Sequence, residues 1–222
     1  MIAIIAALPR EIIGLAHGTR PDVSLVKRGI HLHRLPNAIV VAAGMGAERA
    51  TVAVEAAMRT QQVTEFISAG LAGACSAQLA AGAVSEASRV IDVSTGERYA
   101  AGTENGVVLA TTDSIAGTQE KMRLAASYSA AMVDLEAATV ARLALAHGLP
   151  FRAIKGISDA HDFDFGWEST AQFADKHGHF RTTAFALHIA LRPHYWGKAV
   201  KLGQNSNLAL SRLHERLGGL IS

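Results

Sequence analysis

The strongest constraint on this chain is a series of short apolar runs that do not alternate with polar residues. Ile2 to Leu8 and Ala38 to Ala43 are unbroken stretches of Ile, Val, Ala and Leu. A strand with one wet face alternates polar and apolar side chains, whereas a strand covered on both faces does not. Further strands are expected over Val63 to Ala69, Ser88 to Val93, Gly106 to Thr112 and Phe151 to Ile157, with a weaker one over Ile30 to Leu35. Helical patterns separate them: Ile12 to His17, Ala47 to Met58, Thr118 to Ser127 with Thr118 as N-cap, and Ala131 to His147. Polar residues 94–106 read as a loop over the top of the sheet. Strand and helix in turn predict an α/β fold, a three-layer αβα sandwich around a mostly parallel mixed sheet.

Composition narrows the function classes. With half of 222 residues hydrophobic, the chain can bury a sizeable core. A formal charge of +2 and no basic block argue against a nucleic-acid partner. The single cysteine, Cys75, rules out an internal disulfide framework and reads as a small core residue. The apolar start is cut short by Pro9-Arg10-Glu11 with no basic segment before it, so it does not read as a secretory signal. No run of about 18 apolar residues suggests a membrane span. A cytoplasmic protein is the expectation.

Beyond Asp159 the chain changes character. A polar link through His161, Asp162, Asp164, Trp167 and Glu168 leads to a long helical pattern, Ala171 to Leu191, stopped by Pro193. His177, His179 and His188 lack the spacing of a zinc site, and no metal is expected. A last amphipathic helix is predicted over Leu202 to Leu217. This divides the chain into a domain over 1–190 and a helical extension over 191–222 packed on it. Arg192, Lys198, Lys201, Tyr195 and Trp196 give the tail a basic and aromatic character. It reads as a packing surface for the domain or a partner subunit, or as a face that touches lipid or admits an apolar substrate, peripheral to an inner membrane.

Three acids carry the chemistry. Glu11 follows the first strand, Asp159 follows the Phe151 strand, and Glu136 lies near the start of the Ala131 helix in apolar surroundings. In open α/β sheets, ligands bind beyond the carboxyl ends of the strands. The turn Gly44-Met45-Gly46 between a strand and a helix is a candidate anion site, with Arg49 on the first helical turn either holding the anion or pairing with Glu48 or Glu55. It is neither a dinucleotide fingerprint nor a Walker loop. From spacing alone, the signal is carboxylate chemistry on a polar substrate.

Val133-Asp134-Leu135-Glu136-Ala137, joined through Gly148-Leu149-Pro150-Phe151 to Lys155-Gly156-Ile157-Ser158-Asp159, resembles a V-E-M-E-A helix followed by an R-x-I-S-D strand end. With IAIIAALPRE, AAGMG and SAGLAGA in matching order, the chain resembles the purine nucleoside phosphorylase and nucleosidase superfamily, including the methylthioadenosine/adenosylhomocysteine nucleosidases, over roughly residues 1 to 190. The LEA and SAGLAG variants and the tail RPHYWGKAVKLGQNS resemble most the hopanoid-associated phosphorylase group. The resemblance implies a nucleoside phosphorylase-like fold and cleavage of the N-glycosidic bond of a 5′-substituted adenosine, adenosylhopane in that group. By the same resemblance, Asp159 protonates purine N7, Glu136 grips the ribosyl hydroxyls and Glu11 activates water. Asp113, Ile115 and Ala116 fall in the purine-lining segment, where Ile115 replaces an aromatic residue. Leu135 replaces a methionine under the sugar, and Ser158, Gly70 and Leu71 complete the expected substrate site.

Phosphate users of the superfamily hold their co-substrate with a G-[ST]-x-G turn preceded by an arginine. Here the turn is Gly70-Leu71-Ala72-Gly73 and the arginine is Ser68. Gly44, Gly46, Arg49 and Arg10 remain as a substitute anion site, so phosphate as co-substrate and water both stand as acceptors. No other cofactor is implied. The resemblance implies a homo-oligomer. The rival class is a module that binds an adenine nucleoside without cleaving it.

Overall fold

A computed structural model describes residues 1–60, 62–164 and 196–221. The expected helix over 171–191 and its histidines lie outside the described residues. Ten strands form the central sheet: β1 (Ile2–Ala6), β2 (His31–Arg34), β3 (Ala38–Ala42), β4 (Glu65–Ser68), β5 (Leu71–Ala74), β6 (Val84–Asp92), β7 (Arg98–Ala100), β8 (Val107–Thr111), β9 (Met132–Asp134) and β10 (Phe151–Asp159). Their order is β2-β3-β1-β4-β10-β5-β9-β8-β6-β7, and β10 pairs additionally with β6. The extra pairing closes β10, β5, β9, β8 and β6 into a ring beside the open half of the sheet. The sheet is mixed: β1 runs parallel to β3 and β4, and β10 parallel to β4 and β5, while β2–β3, β5–β9, β6–β7 and β6–β10 are antiparallel.

The apolar runs behave as two-sided strands. Ala3 and Ile5 point to one face with Ile39 and Val41, and there meet Ala53 and Ala57 of helix α2 (Ala47–Thr60) and Val140 and Ala144 of helix α4 (Ala137–Ala146). Ile4, Val40, Ile67 and Ile154 point to the other face, against Leu210, Leu213 and Leu217 of helix α5 (Trp196–Ile221). That three-and-four spacing places one apolar stripe of α5 on the sheet. Close contact is possible because residue 156 is glycine: a Cβ there would lie 3.0 Å from the Ala209 carbonyl oxygen. A smaller cluster, Ala110, Leu124 and Val133, packs helix α3 (Thr118–Tyr128) over the ring. Helix α1 (Val23–Val26) is a single turn.

The structure revises several expected boundaries. Ile12 to His17 forms turns, preceded by a 3-10 turn at Pro9–Glu11. The loop over 94–106 contains β7, which pairs back onto β6. Gly117, rather than Thr118, is the N-cap of α3. The largest revision concerns the expected Ala131–His147 helix, whose first residues form β9 between β5 and β8. Glu136 therefore sits at the strand-to-helix corner. Helix α5 extends beyond both ends of its predicted span. Among the described residues, no helix is long and apolar enough to cross a membrane.

Candidate active site

Glu11, Glu136 and Asp159, far apart in sequence, line one cavity of about 320 Å³ at the carboxyl ends of β1, β8, β9 and β10. Arg10, Leu71, Ile115, Ala116, Leu135 and Ser158 line it as well. Ala199, Leu202, Gly203 and Ser206 of α5 complete one wall. The parallel strands β1, β4 and β10 bring their ends to the same edge, which is why distant residues converge here.

Glu11 is held by backbone. Its Oε2 accepts from the amides of Ala7 at 3.0 Å and Leu8 at 2.8 Å, and its Oε1 accepts from Leu71 at 3.0 Å. These amides, from the ends of β1 and the start of β5, form a nest that suits a small anion. Gly70 leaves room for the carboxylate: its φ is +120°, and a Cβ there would come within 3.0 Å of Glu11 Oε1 and Oε2. The Gly70-Leu71 turn thus receives a carboxylate from within the chain.

Glu136 occupies the N-cap position of α4 without capping it. Asp134 and Thr111 satisfy that helix end instead. Asp134 Oδ2 accepts from the Ala137 amide at 3.0 Å, and Thr111 Oγ1 accepts from the Ala138 amide at 3.0 Å while donating to Asp134 Oδ1 at 2.7 Å. The Glu136 carboxyl is left facing the cavity, where Oε1 accepts from the Gly46 amide at 2.8 Å. Burial, followed by the charge of Asp134, pushes its pKa up to about 8, against the opposing pull of Lys155 and the Gly46 amide.

Lys155 lies under these acids. Its ammonium pairs with Asp134 Oδ2 at 2.8 Å and donates to Ser68 Oγ at 3.0 Å and the Ala69 carbonyl at 3.2 Å. An ammonium has three protons, and all three have acceptors here. Burial acts to lower its pKa, but Asp134, Glu136 and Glu11 outweigh burial and raise it. Ser68 thus helps to hold Lys155 at the floor of the site.

At the opposite end, Asp159 forms a buried ion pair through Oδ2 with Lys121 of α3. The Lys121 ammonium also donates to the Ala160 carbonyl at 2.8 Å, and Ser158 Oγ donates to Asp159 Oδ1 at 2.5 Å. Side-chain exposure of the pair is 1% and 5%. Gly73 opposite leaves the necessary space, since a Cβ there would lie 3.0 Å from Asp159 Oδ2 and 3.1 Å from Lys121 Cε.

Other residues singled out from the sequence stand outside the lining. Asp113 is exposed. Gly44, with φ of +123°, shapes the turn and donates to the Ala7 carbonyl at 2.8 Å. The anion role considered for Arg49 meets a guanidinium committed to backbone: Nε donates to the Ala43 carbonyl at 2.6 Å, and Nη2 to those of Gly29 at 3.3 Å and Arg28 at 3.4 Å. Nor does Arg49 pair with Glu55, which binds Arg59. Sequence reasoning assigned no role to Lys121, Asp134 or Lys155. The signal for Lys121 was its position three residues before Leu124, on the buried face of α3. Among the described residues, no group of three or more His, Cys, Asp or Glu side chains is arranged to hold a metal ion.

The model of the phosphorylase superfamily matches residues 100–191. No curated protein matches the chain in sequence. Among solved structures, a 5′-methylthioadenosine nucleosidase from Arabidopsis thaliana is similar, with a TM-score of 0.72 and 17% identity over 99% of this chain and 93% of that one. An S-adenosylhomocysteine nucleosidase from Streptococcus pyogenes aligns with a TM-score of 0.60 and 25% identity over 72% of this chain and 85% of that one. A futalosine hydrolase from Helicobacter pylori gives 0.63 and 20% over 72% and 85%. The chain thus shares the fold of these nucleosidases, and its residues 100–191 match the phosphorylase superfamily model.

Proposed function

We propose that the protein is an enzyme, a nucleosidase that hydrolyses the N-glycosidic bond of a 5′-substituted adenosine and releases adenine. The observation that carries the choice of water is the Glu11 carboxylate in the amide nest formed by Ala7, Leu8 and Leu71. A phosphate would need those donors, and the Lys155 protons are already taken by Asp134, Ser68 and Ala69. A second anion beside Glu11 would also meet the Asp134 carboxylate, to which Lys155 is already committed.

In this reading the purine lies toward Asp159 and the ribose toward Glu136. Asp159 delivers a proton to N7, so the base departs neutral. As the C1′–N9 bond breaks, positive charge grows on the sugar. Glu136, reacting in its ionised form, accepts hydrogen bonds from the ribosyl hydroxyls, and its charge stabilises the transition state more than the ground state. Glu11, fixed by its three amide donors, receives a proton from the attacking water. The similar solved structures include nucleosidases named for methylthioadenosine and adenosylhomocysteine, which favours thioether-bearing adenosines as substrates.

A second reading concerns the 5′ group. Helix α5 lines the cavity with Ala199 and Leu202 and leaves Trp196 and Val200 exposed on the same turns. This supports a wide apolar group at 5′, of which adenosylhopane is the extreme case. The test is adenine release from adenosine, methylthioadenosine, adenosylhomocysteine and adenosylhopane, each with and without phosphate. Free ribose products independent of phosphate are expected. Ribose 1-phosphate would refute hydrolysis, and absence of adenine release from every substrate would refute the enzyme. Asp159→Ala separates catalysis from simple binding: turnover should fall far more than affinity.

A further inference from the structure

Hydrolysis as described requires an acid at N7, yet Asp159 is ion-paired with a buried cation. We propose that Lys121 is a positioning residue that stores, in its pair with Asp159, the proton delivered to the departing purine. This rests on the nucleosidase reading. Three observations carry it: the pair is buried, it borders the cavity, and Gly73 leaves the space that both side chains occupy. A structural pair would not need to face the substrate cavity, and a lone buried acid would serve N7 without a lysine.

The step balances as follows. In the resting pair the ammonium carries the proton and Asp159 the negative charge. As the C1′–N9 bond breaks, its electron pair moves onto the purine. A proton passes from Nζ through the Asp159 carboxylate to N7, which leaves a neutral amine beside a carboxylate and releases neutral adenine. The positive charge now resides on the sugar. Water bonds to C1′, and its surplus proton moves to Glu11. Exchange with solvent, as the products leave, takes the proton from Glu11 and restores the ammonium.

The groups around the pair leave its two side chains to share that proton. Ser158 on β10 is a hydroxyl donor to Asp159. The Cys75 thiol, beyond β5, is pushed up to about 12 by burial and stays neutral. Glu120 on α3 is held low by its hydrogen bond to Arg123 and stays ionised. His161 and Asp162, in the turn after β10, are 41% and 75% exposed in their side chains.

The experiment measures kcat/KM between pH 5 and 10 for wild type, Lys121→Met and Lys121→Arg. The substrates are methylthioadenosine and 4-nitrophenyl riboside, whose phenolate leaves without protonation. Lys121→Met should lose about 100-fold on methylthioadenosine at pH 9, with a shifted alkaline limb, and stay within about threefold on the nitrophenyl substrate. Lys121→Arg keeps the charge but does not release its proton, so it should show the same selective loss. An unshifted alkaline limb for both variants on methylthioadenosine overturns the proposal. So does equal loss on the two substrates, which marks a structural role, or full activity of Lys121→Arg, which marks a purely electrostatic one. Wild type inactive on all adenine nucleosides would instead refute the nucleosidase reading.

Discussion

Replacing Glu136 by glutamine should stabilise the protein at alkaline pH while abolishing its activity. Glutamine preserves the shape, and its carbonyl oxygen can still accept from the Gly46 amide at 2.8 Å. What disappears is a carboxyl whose pKa is pushed from 4.5 up to about 8, first by burial and then by Asp134. The sign follows from proton uptake. Between these two values the folded chain holds a proton that the unfolded chain has released, so the contribution of this group is fully present below pH 4.5 and is lost as pH rises through 8. Such a rise corresponds to about 5 kcal/mol at most, and water reaching the cavity lowers that figure. Urea unfolding of wild type and Glu136→Gln at a series of pH values between 5 and 9 reads the difference directly. The stability gap should move in favour of the glutamine variant with increasing pH. Parallel curves would show that Glu136 is ionised at ordinary carboxylate pH in the folded state, and would refute the burial argument.

Three further outcomes follow. Glu11→Gln should retain the fold but lower kcat about 10²- to 10⁴-fold, because the group that receives the proton from water is gone; steady-state kinetics on methylthioadenosine checks this. Asp134→Asn keeps hydrogen bonds to Thr111 and the Ala137 amide but strips Lys155 of its buried counter-charge, so denaturant unfolding should report a loss of about 3–5 kcal/mol. Gly156→Ala would place a methyl 3.0 Å from the Ala209 carbonyl, and thermal unfolding should show a cost of about 1–3 kcal/mol as α5 is forced off the sheet.

Strand positions were legible where both faces are covered: Ile2–Ala6 and Ala38–Ala42 announce themselves by uninterrupted apolar sequence. β9 was not, because Met132–Asp134 is only three residues long and Val133, Ala137 and Val140 continue a helical spacing through it. Its strand character comes from pairing with β5 and β8, a tertiary effect absent from local pattern. β5 was hidden for a related reason, since Leu-Ala-Gly-Ala has little strand preference of its own. The convergence of Glu11, Glu136 and Asp159 was anticipated through the family resemblance, because periodicity alone says nothing of which distant acids share a cavity. Lys121 and Lys155 escaped notice because lysine normally marks a solvated face. Their burial depends on the carboxylates that the fold brings to them.

The threading of β10 has a consequence for how the molecule breathes. Its first residues bond to β4, and its later ones to β5 and β6, so one nine-residue segment stitches the open half of the sheet to the ring. Freeing the end that bears Asp159 means unzipping both flanks of that seam. Amides of Ile154 to Ile157 should therefore exchange with solvent only when the whole molecule opens, which keeps the acid in register through every lesser fluctuation.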